Sequence, residues 1–213
     1  NGISDIQNTA LGFIPSGRGN DFVRAAGCSL DPIKALEDIL RRETKSIDYI
    51  DVNGTRCLNV AGTGLDIDVL ERVAGKTNKI SYLVSLIYCL HHFKPYHVKV
   101  KVNGEEHVFD CIMAGVCNGI AIGGNIRLSP LSLIDDGKLD VIVMTMPENG
   151  RIMSVLPKFV KGKHMDLPIT HHFVTDEVHI ESNRPVQLDG EIYRNLSLDC
   201  KIVKGGLKTY KVK

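Results

Sequence analysis

Two Asn-Gly pairs constrain the fold of this chain more than any other feature. Asn53-Gly54 follows a run in which Ile47 and Tyr49 alternate with polar residues, and Asn103-Gly104 follows residues 97–102, where Lys and Val alternate. Period-two alternation marks a half-exposed strand. Asn-Gly supplies the two positive φ values of a turn whose twist matches that of paired strands. Each pair therefore predicts an antiparallel hairpin. Further strands are predicted at 107–117 and 138–146, and near the end at 178–180, 186–188, 196–198 and 209–212. Helices are predicted at 79–93 and 151–160, interrupting the strands.

The first 44 residues have a different texture. The apolar run Ala10-Leu11-Gly12-Phe13-Ile14-Pro15 suits a buried parallel strand. It leads through the Gly-rich turn Ser16-Gly17-Arg18-Gly19-Asn20 into a helix over 21–26, stopped by Gly27. A second helix has Asp31 as its N-cap, Pro32 at the first helical position, and Ile33, Leu36, Ile39 and Leu40 as its apolar face. A small α/β piece followed by a largely antiparallel β domain, with the boundary near Thr44, is the expected organisation.

Composition excludes several functions. The chain has 213 residues, 26 Lys or Arg against 25 Asp or Glu, and a net charge of +1. Nothing in that balance draws it to nucleic acid, which is expected to be no partner. The longest apolar stretch, 80–90, is broken by Ser81 and Ser85 and falls short of the roughly 18–20 residues that span a bilayer. The start has no basic segment leading into an apolar core, so no signal peptide is expected. The six cysteines form no CxxC pair and no zinc-like spacing, and read as reduced, mostly buried cytosolic thiols.

Several segments carry candidate chemistry, each with a plainer alternative. Pro15 to Asp21 joins a strand to a helix through close glycines, an arrangement that offers backbone N–H groups to phosphate. It also reads as a tight turn in which Asn20 and Asp21 only cap. Leu133-Ile134-Asp135-Asp136-Gly137-Lys138-Leu139-Asp140 places acids in a turn, suited to a hard cation or to solvent. Asp189-Gly190-Glu191 lies between apolar runs, where Glu191 has the type and setting of a general base and Asp-Gly is also a plain hairpin signal. Ala61-Gly62-Thr63-Gly64 and residues 119–124 suit turns or bulges where a backbone or ligand comes close. The pairs His91-His92 and His171-His172 point apart and are weak metal ligands. The lysines from Lys201 to Lys213 suit an edge strand kept soluble by charge. The basic segment 151–164, with Ile152, Val155, Leu156, Phe159 and Val160 apolar, suits core packing or an anionic membrane surface.

Taken in order, five of these segments resemble one family. Leu11 to Arg24, containing Ile14-Pro15-Ser16-Gly17-Arg18-Gly19-Asn20-Asp21-Phe22, is similar to the "G-IP-GTGNDFAR" segment of the soluble diacylglycerol kinase catalytic family, which includes bacterial lipid kinases and sphingosine kinases. Leu58-Asn59-Val60-Ala61-Gly62-Thr63-Gly64-Leu65-Asp66 resembles its "NVAGIGFDA" segment. Asn118 to Gly124 with Ser129-Pro130 resembles "N---GGG----P", Asp135 to Val141 resembles "DDG-LDV", and Gln187 to Glu191 resembles "Q-DGE".

The resemblance implies an α+β fold. A remnant of a Rossmann-like nucleotide-binding α/β domain would occupy 1–44, and an antiparallel β-sandwich with helical insertions 45–204. Residues 205–213 would form a terminal strand returning toward the first domain. It implies ATP-dependent phosphorylation of a lipid hydroxyl, of diacylglycerol or a related lipid, with Glu191 as general base and Asp189 as a second catalytic residue. Gly17, Arg18, Gly19, Asn20 and Asp21 would border the nucleotide. Asp136 and the backbone oxygens of Leu133 and Lys138 would hold a Mg²⁺, with another Mg²⁺ accompanying ATP. The protein would be cytoplasmic, peripheral to the inner face of the membrane through Arg151, Lys158, Lys161 and Lys163. The family has Thr where this chain has Arg18. Its Gly-Gly-Asp-Gly-Thr motif, which lies upstream of this segment in the family, does not occur in this sequence. The chain is therefore expected to be the C-terminal portion of a kinase, inactive without that motif. The competing expectations are a lipid-binding module without kinase activity and a kinase for a soluble metabolite, as in NAD kinase.

Overall fold

The computed structural model describes residues 1–17, 19–73, 79–147 and 152–212, with the backbone alone at 79–83. Its strands are β1 (Ala10–Leu11), β2 (Thr44–Val52), β3 (Thr55–Cys57), β4 (Val60–Gly64), β5 (Tyr96–Val102), β6 (Glu105–Cys117), β7 (Leu139–Thr145), β8 (Thr170–Thr175), β9 (Glu177–Ser182), β10 (Val186–Leu188), β11 (Glu191–Tyr193) and β12 (Leu198–Tyr210). The helices are α1 (Asp21–Ala25), α2 (Pro32–Leu40), α3 (Leu65–Val73), α4 (Lys79–His92) and α5 (Leu156–Val160).

Local chemistry sets the hairpins. Asn53 and Gly54 take φ of 51° and 82°, Asn103 and Gly104 take 52° and 82°, and these turns join β2 to β3 and β5 to β6. The positive φ at both central residues is what a type I′ turn requires. The long strands β6 and β12 then organise the rest. β6 pairs with β5 along its first half and with β4 and β7 along its second. β12 pairs with β9, with β2 and, at its end, in parallel with β1. A strand that changes partners along its length carries the sheet from one layer to the next, so a single sheet curls over its own core. That core includes Ile50, Val98, Ala114, Val141, Ile180 and Leu198. A second cluster packs Leu65, Val69, Leu86 and Leu90 of α3 and α4 against Ile112, Ile142 and Phe159. A third joins Ile6, Phe13, Phe22 and Ala26 to Ile47, Tyr49 and Leu207. The fold class is α+β, built on an antiparallel sheet.

Several expectations need correction. The strands predicted at 196–198 and 209–212 are parts of one strand, β12. Its ladder is interrupted between Val203 and Leu207, where Gly205 has φ 58° and the Tyr49 ring leaves no room for a side chain on Gly206. β12 is also flanked on both sides, so its lysines decorate an interior strand and not a sheet edge. The buried parallel strand predicted at 10–15 is only the two residues of β1, and Ile14 is exposed. Helix α2 is capped as expected, the Asp31 carboxylate accepting from the N–H groups of Ile33 and Lys34. Three of its four apolar residues, Ile33, Leu36 and Leu40, are however turned outward. Ile33 and Leu40 are 67% and 70% exposed, while Ala35 and Asp38 are buried. The fourth, Ile39, is the one that packs inward, lying against Gly12, where even a methyl group would not fit. Helix α3 and strand β8 have no counterpart among the expected elements, and residues 61–64, expected as turns or bulges, lie in the buried strand β4. The predicted helix at 151–160 is a 3₁₀ turn, Ile152–Ser154, followed by α5, with Ile152 and Phe159 in the core and Arg151 outside the described residues.

Candidate active site

The hairpin between β10 and β11 is a tight turn, with φ of 52° at Asp189 and 93° at Gly190. The Asp189 carboxylate reaches out of this turn to the bend before β4. It accepts the N–H groups of Leu58 at 2.6 Å, Asn59 at 2.9 Å and Val60 at 3.1 Å, and the Cys57 thiol at 3.3 Å. Burial, reinforced by the Asp189 charge, pushes the Cys57 thiol well above its ordinary pKa. Gln187 is buried just before the turn. Its Oε1 accepts the Gly190 N–H at 2.8 Å, and its amide hydrogen-bonds Asp66. These contacts fix the backbone on which Glu191 stands. Glu191 itself is exposed, its Oε2 accepting from the Tyr193 hydroxyl at 3.3 Å.

Across from this hairpin lies the turn that begins α1. Asn20 takes a left-handed φ of 52° and donates from its amide to the Gly17 carbonyl at 2.8 Å. The Asp21 carboxylate accepts the N–H of Gly124 at 2.8 Å and of Asn125 at 2.7 Å, tying α1 to the loop after β6. A Cβ on Gly19 would meet the Gly124 backbone at 3.6 Å, so this loop and the turn run close together. Arg18 lies outside the described residues.

Between the two turns opens a cleft of about 400 Å³, lined by Asn20, Asp21, Asn59, Asp66, Gln187 and Asp189 among others. The structure thus brings together residues that are about 170 positions apart in sequence. Gly190 also lines the cleft, and Glu191, the next residue, is not among the lining residues. Asp66 is not among the residues expected at the site, although it closes the Asn59–Asp66 motif. It is 7% exposed, and burial pushes its pKa up to about 6 against the pull of the Gln187 hydrogen bond. The signal available in the sequence is an acid at the end of a run otherwise made of apolar residues, Thr and Gly. A glycine at 62 leaves this acid its place, since a Cβ would come within 2.9 Å of Asp66 Oδ2 and make it shift.

The other acidic turn is built differently. The Asp136 carboxylate is exposed and, among the described residues, accepts only the nearby Lys138 N–H, at 2.9 Å. Leu133 is exposed too, and the Lys138 ammonium pairs with Asp176. What holds this turn is Asp48 of β2, 2% exposed, whose carboxylate accepts the N–H of Gly137 at 2.7 Å and of Gly205 at 2.6 Å. Leu133, Asp136 and Lys138 do not line the cleft. Among the described residues no group of three or more His, Cys, Asp or Glu is placed to hold a metal ion. His172 bonds Asp140 at 2.6 Å, His171 packs on Phe109, and all six cysteines are free thiols. A wider, open depression of about 670 Å³ crosses β5, β9 and β12. Its charges pair with one another, Lys101 with Glu106 and Lys201 with Glu177, as on an ordinary solvated face.

Residues 59–210 match the YegS C-terminal NAD kinase beta sandwich-like domain, and residues 1–52 match the diacylglycerol kinase catalytic domain. The chain belongs to the diacylglycerol kinase family. It is 30% identical over 215 residues to the "Probable lipid kinase YegS-like" of Stenotrophomonas maltophilia, covering 94% of this chain and 69% of that one. It is 26% identical over 202 residues to the diacylglycerol kinase of Bacillus subtilis, covering 90% and 66%. A crystal structure of a "putative diacylglycerol kinase" from Bacillus anthracis matches with a TM-score of 0.75 at 28% identity, covering 95% and 70%. The chain therefore spans about two thirds of the length of the family members it matches. Among the described residues no helix is long and apolar enough to cross a membrane.

Proposed function

We propose that this chain forms the acceptor side of an ATP-dependent kinase that phosphorylates a lipid hydroxyl, of diacylglycerol or a related lipid. The supporting observation is the pinned Asp189-Gly190 turn, which lines the cleft and immediately precedes Glu191. Phosphoryl transfer asks the protein for positioning, charge stabilisation and a base near the nucleophile. Glu191 takes the proton of the acceptor hydroxyl as its oxygen bonds to the γ-phosphorus, and the bond from that phosphorus to the ADP oxygen breaks. Asp189, engaged by three backbone N–H groups, positions Glu191 rather than moving a proton. Gly17, Gly19, Asn20 and Asp21 border the nucleotide, and Arg18 would stand beside them.

The donor set proposed for Mg²⁺ is the Asp136 carboxylate with the backbone oxygens of Leu133 and Lys138. All three are oxygens, which suits a hard cation that keeps most of its water. A cation there would brace the β domain. Contact with the inner face of the membrane would run through the exposed lysines 158, 161 and 163 beside α5.

The test is ³²P transfer from ATP to diacylglycerol by the intact kinase and its Glu191→Gln variant. Loss of transfer in the variant is expected, and equal rates would remove Glu191 from the role of base. Vesicle binding indifferent to ATP, with no transfer by either protein, would instead identify a binding module.

A further inference from the structure

The bonds of Asp189 and Gln187 hold the backbone under Glu191, but they do not fix its side chain. The backbone leaves the cleft wall at Gly190, one residue before Glu191, so where the carboxylate goes depends on what holds it. Glu191 is exposed, and among the described residues its carboxylate has one hydrogen-bond partner, the Tyr193 hydroxyl, 3.3 Å from Oε2. Several rotatable torsions separate a Glu carboxylate from its backbone, and without a partner it spreads over many rotamers. The charges around it are already engaged. Asp189 accepts three N–H groups from the bend before β4, and Arg194 pairs with Glu71 of α3.

Tyr193 is built to do the holding. Side chains alternate along a strand, so Glu191 and Tyr193 share one face of β11. Tyr193 is paired with Val186 of β10, and its half-buried ring packs against the core of the sheet. A packed tyrosine ring carries its hydroxyl on a stiff arm, at little cost in entropy. Loss of solvent and the Glu191 charge push this phenol above its ordinary pKa, so it keeps its proton and stays a donor. We propose that Tyr193 is a positioning residue for the base, its hydroxyl holding Oε2 of Glu191 so that Oε1 meets the acceptor hydroxyl. This rests on the reading of Glu191 as base and adds the residue that aims it. Catalysis of phosphoryl transfer is mostly positioning, so a carboxylate free to change rotamer loses rate with its chemistry intact.

The test measures transfer from ATP to dioctanoylglycerol by the intact kinase, Tyr193→Phe, Glu191→Ala and the double variant. Phe keeps the ring and removes only the hydroxyl, so melting within about 2 °C of wild type is expected. Tyr193→Phe should lower kcat about tenfold and leave KM for ATP and for the lipid within about twofold. Added to Glu191→Ala it should cost nothing further, because no carboxylate remains to be aimed. A tyrosine that only packs would not show that coupling. An unchanged kcat in Tyr193→Phe would overturn the assignment, and so would an equal loss in both backgrounds. A faster Tyr193→Phe would also overturn it, by showing that the hydroxyl holds Glu191 back. If Glu191→Ala transfers phosphate as fast as the wild type, the reading of Glu191 as base falls and this proposal falls with it.

Discussion

In the turn at 187–191 the acid of an Asp-Gly pair reaches across to another part of the chain, whereas in the turn at 133–140 it stays within its own loop. Both look alike in sequence: an apolar run, an Asp-Gly pair, then a strand. Asp189 gathers three N–H groups from a bend more than 120 residues away and stands beside the cleft. Asp136 caps Lys138, and the work of holding its turn falls to Asp48 on another strand. An acid in a turn becomes structural or functional according to which unpaired donors the rest of the fold brings to it.

The comparison can be broken by substitution. The largest effect is expected for Glu191→Gln in the intact kinase, a loss of about 10²–10⁴ in turnover, the usual contribution of a general base. Asp135→Asn in the other turn should leave turnover within twofold. Next come the anchors. Asp189→Ala leaves three backbone donors without their charged acceptor, and Asp48→Ala leaves two. Each should destabilise by about 3 kcal/mol or more in urea unfolding, because hydrogen bonds to charged groups contribute about 1.5–3 kcal/mol. Asp136→Ala removes one exposed local bond and should stay within about 1 kcal/mol. If Asp136→Ala proved as damaging as Asp48→Ala, the distinction between the turns would fail.

Acid titration sharpens the comparison further. Asp66 is tied to the first turn through Gln187, and its pKa is raised from 3.8 to about 6 on folding. Between those values the folded state holds a proton that the unfolded chain has released. This group's contribution to stability is therefore greatest below about pH 4 and declines as pH rises to about 6, by about 3 kcal/mol in all. Asp66→Asn should flatten that part of the stability curve, and an unchanged curve would mean that Asp66 does not titrate in this range. The smallest effect belongs to the second turn. Lys138→Ala breaks an exposed pair with Asp176 and should move Tm by no more than about 2 °C.

Much of the framework is legible in the sequence alone. The two Asn-Gly hairpins and the capped start of α2 follow from residues within four positions of one another, where backbone sterics and side-chain capping act alone. The motif order also points to the Asp189–Glu191 turn and to Asn20 and Asp21. Less is legible where a choice depends on partners. The apolar residues of α2 have clean helical spacing, yet only Ile39 packs inward, on Gly12, while Ile33, Leu36 and Leu40 stay exposed. The lysines from Lys201 onward suit an edge strand, but pairing of β12 on both flanks places it in the interior of the sheet.

By itself, then, the sequence determined the local turns, the strand-rich second part and the family. These depend on short-range φ preferences and on motifs that are contiguous in the chain. Only the tertiary structure decided that Asp189 and Asp48 are anchors, that Asp21 joins α1 to the loop after β6, and that Asp66 is buried with one oxygen unpaired. The donors these acids meet lie up to 157 residues away. A carboxylate's role is set by the hydrogen-bond groups and the solvent left around it once the chain has closed.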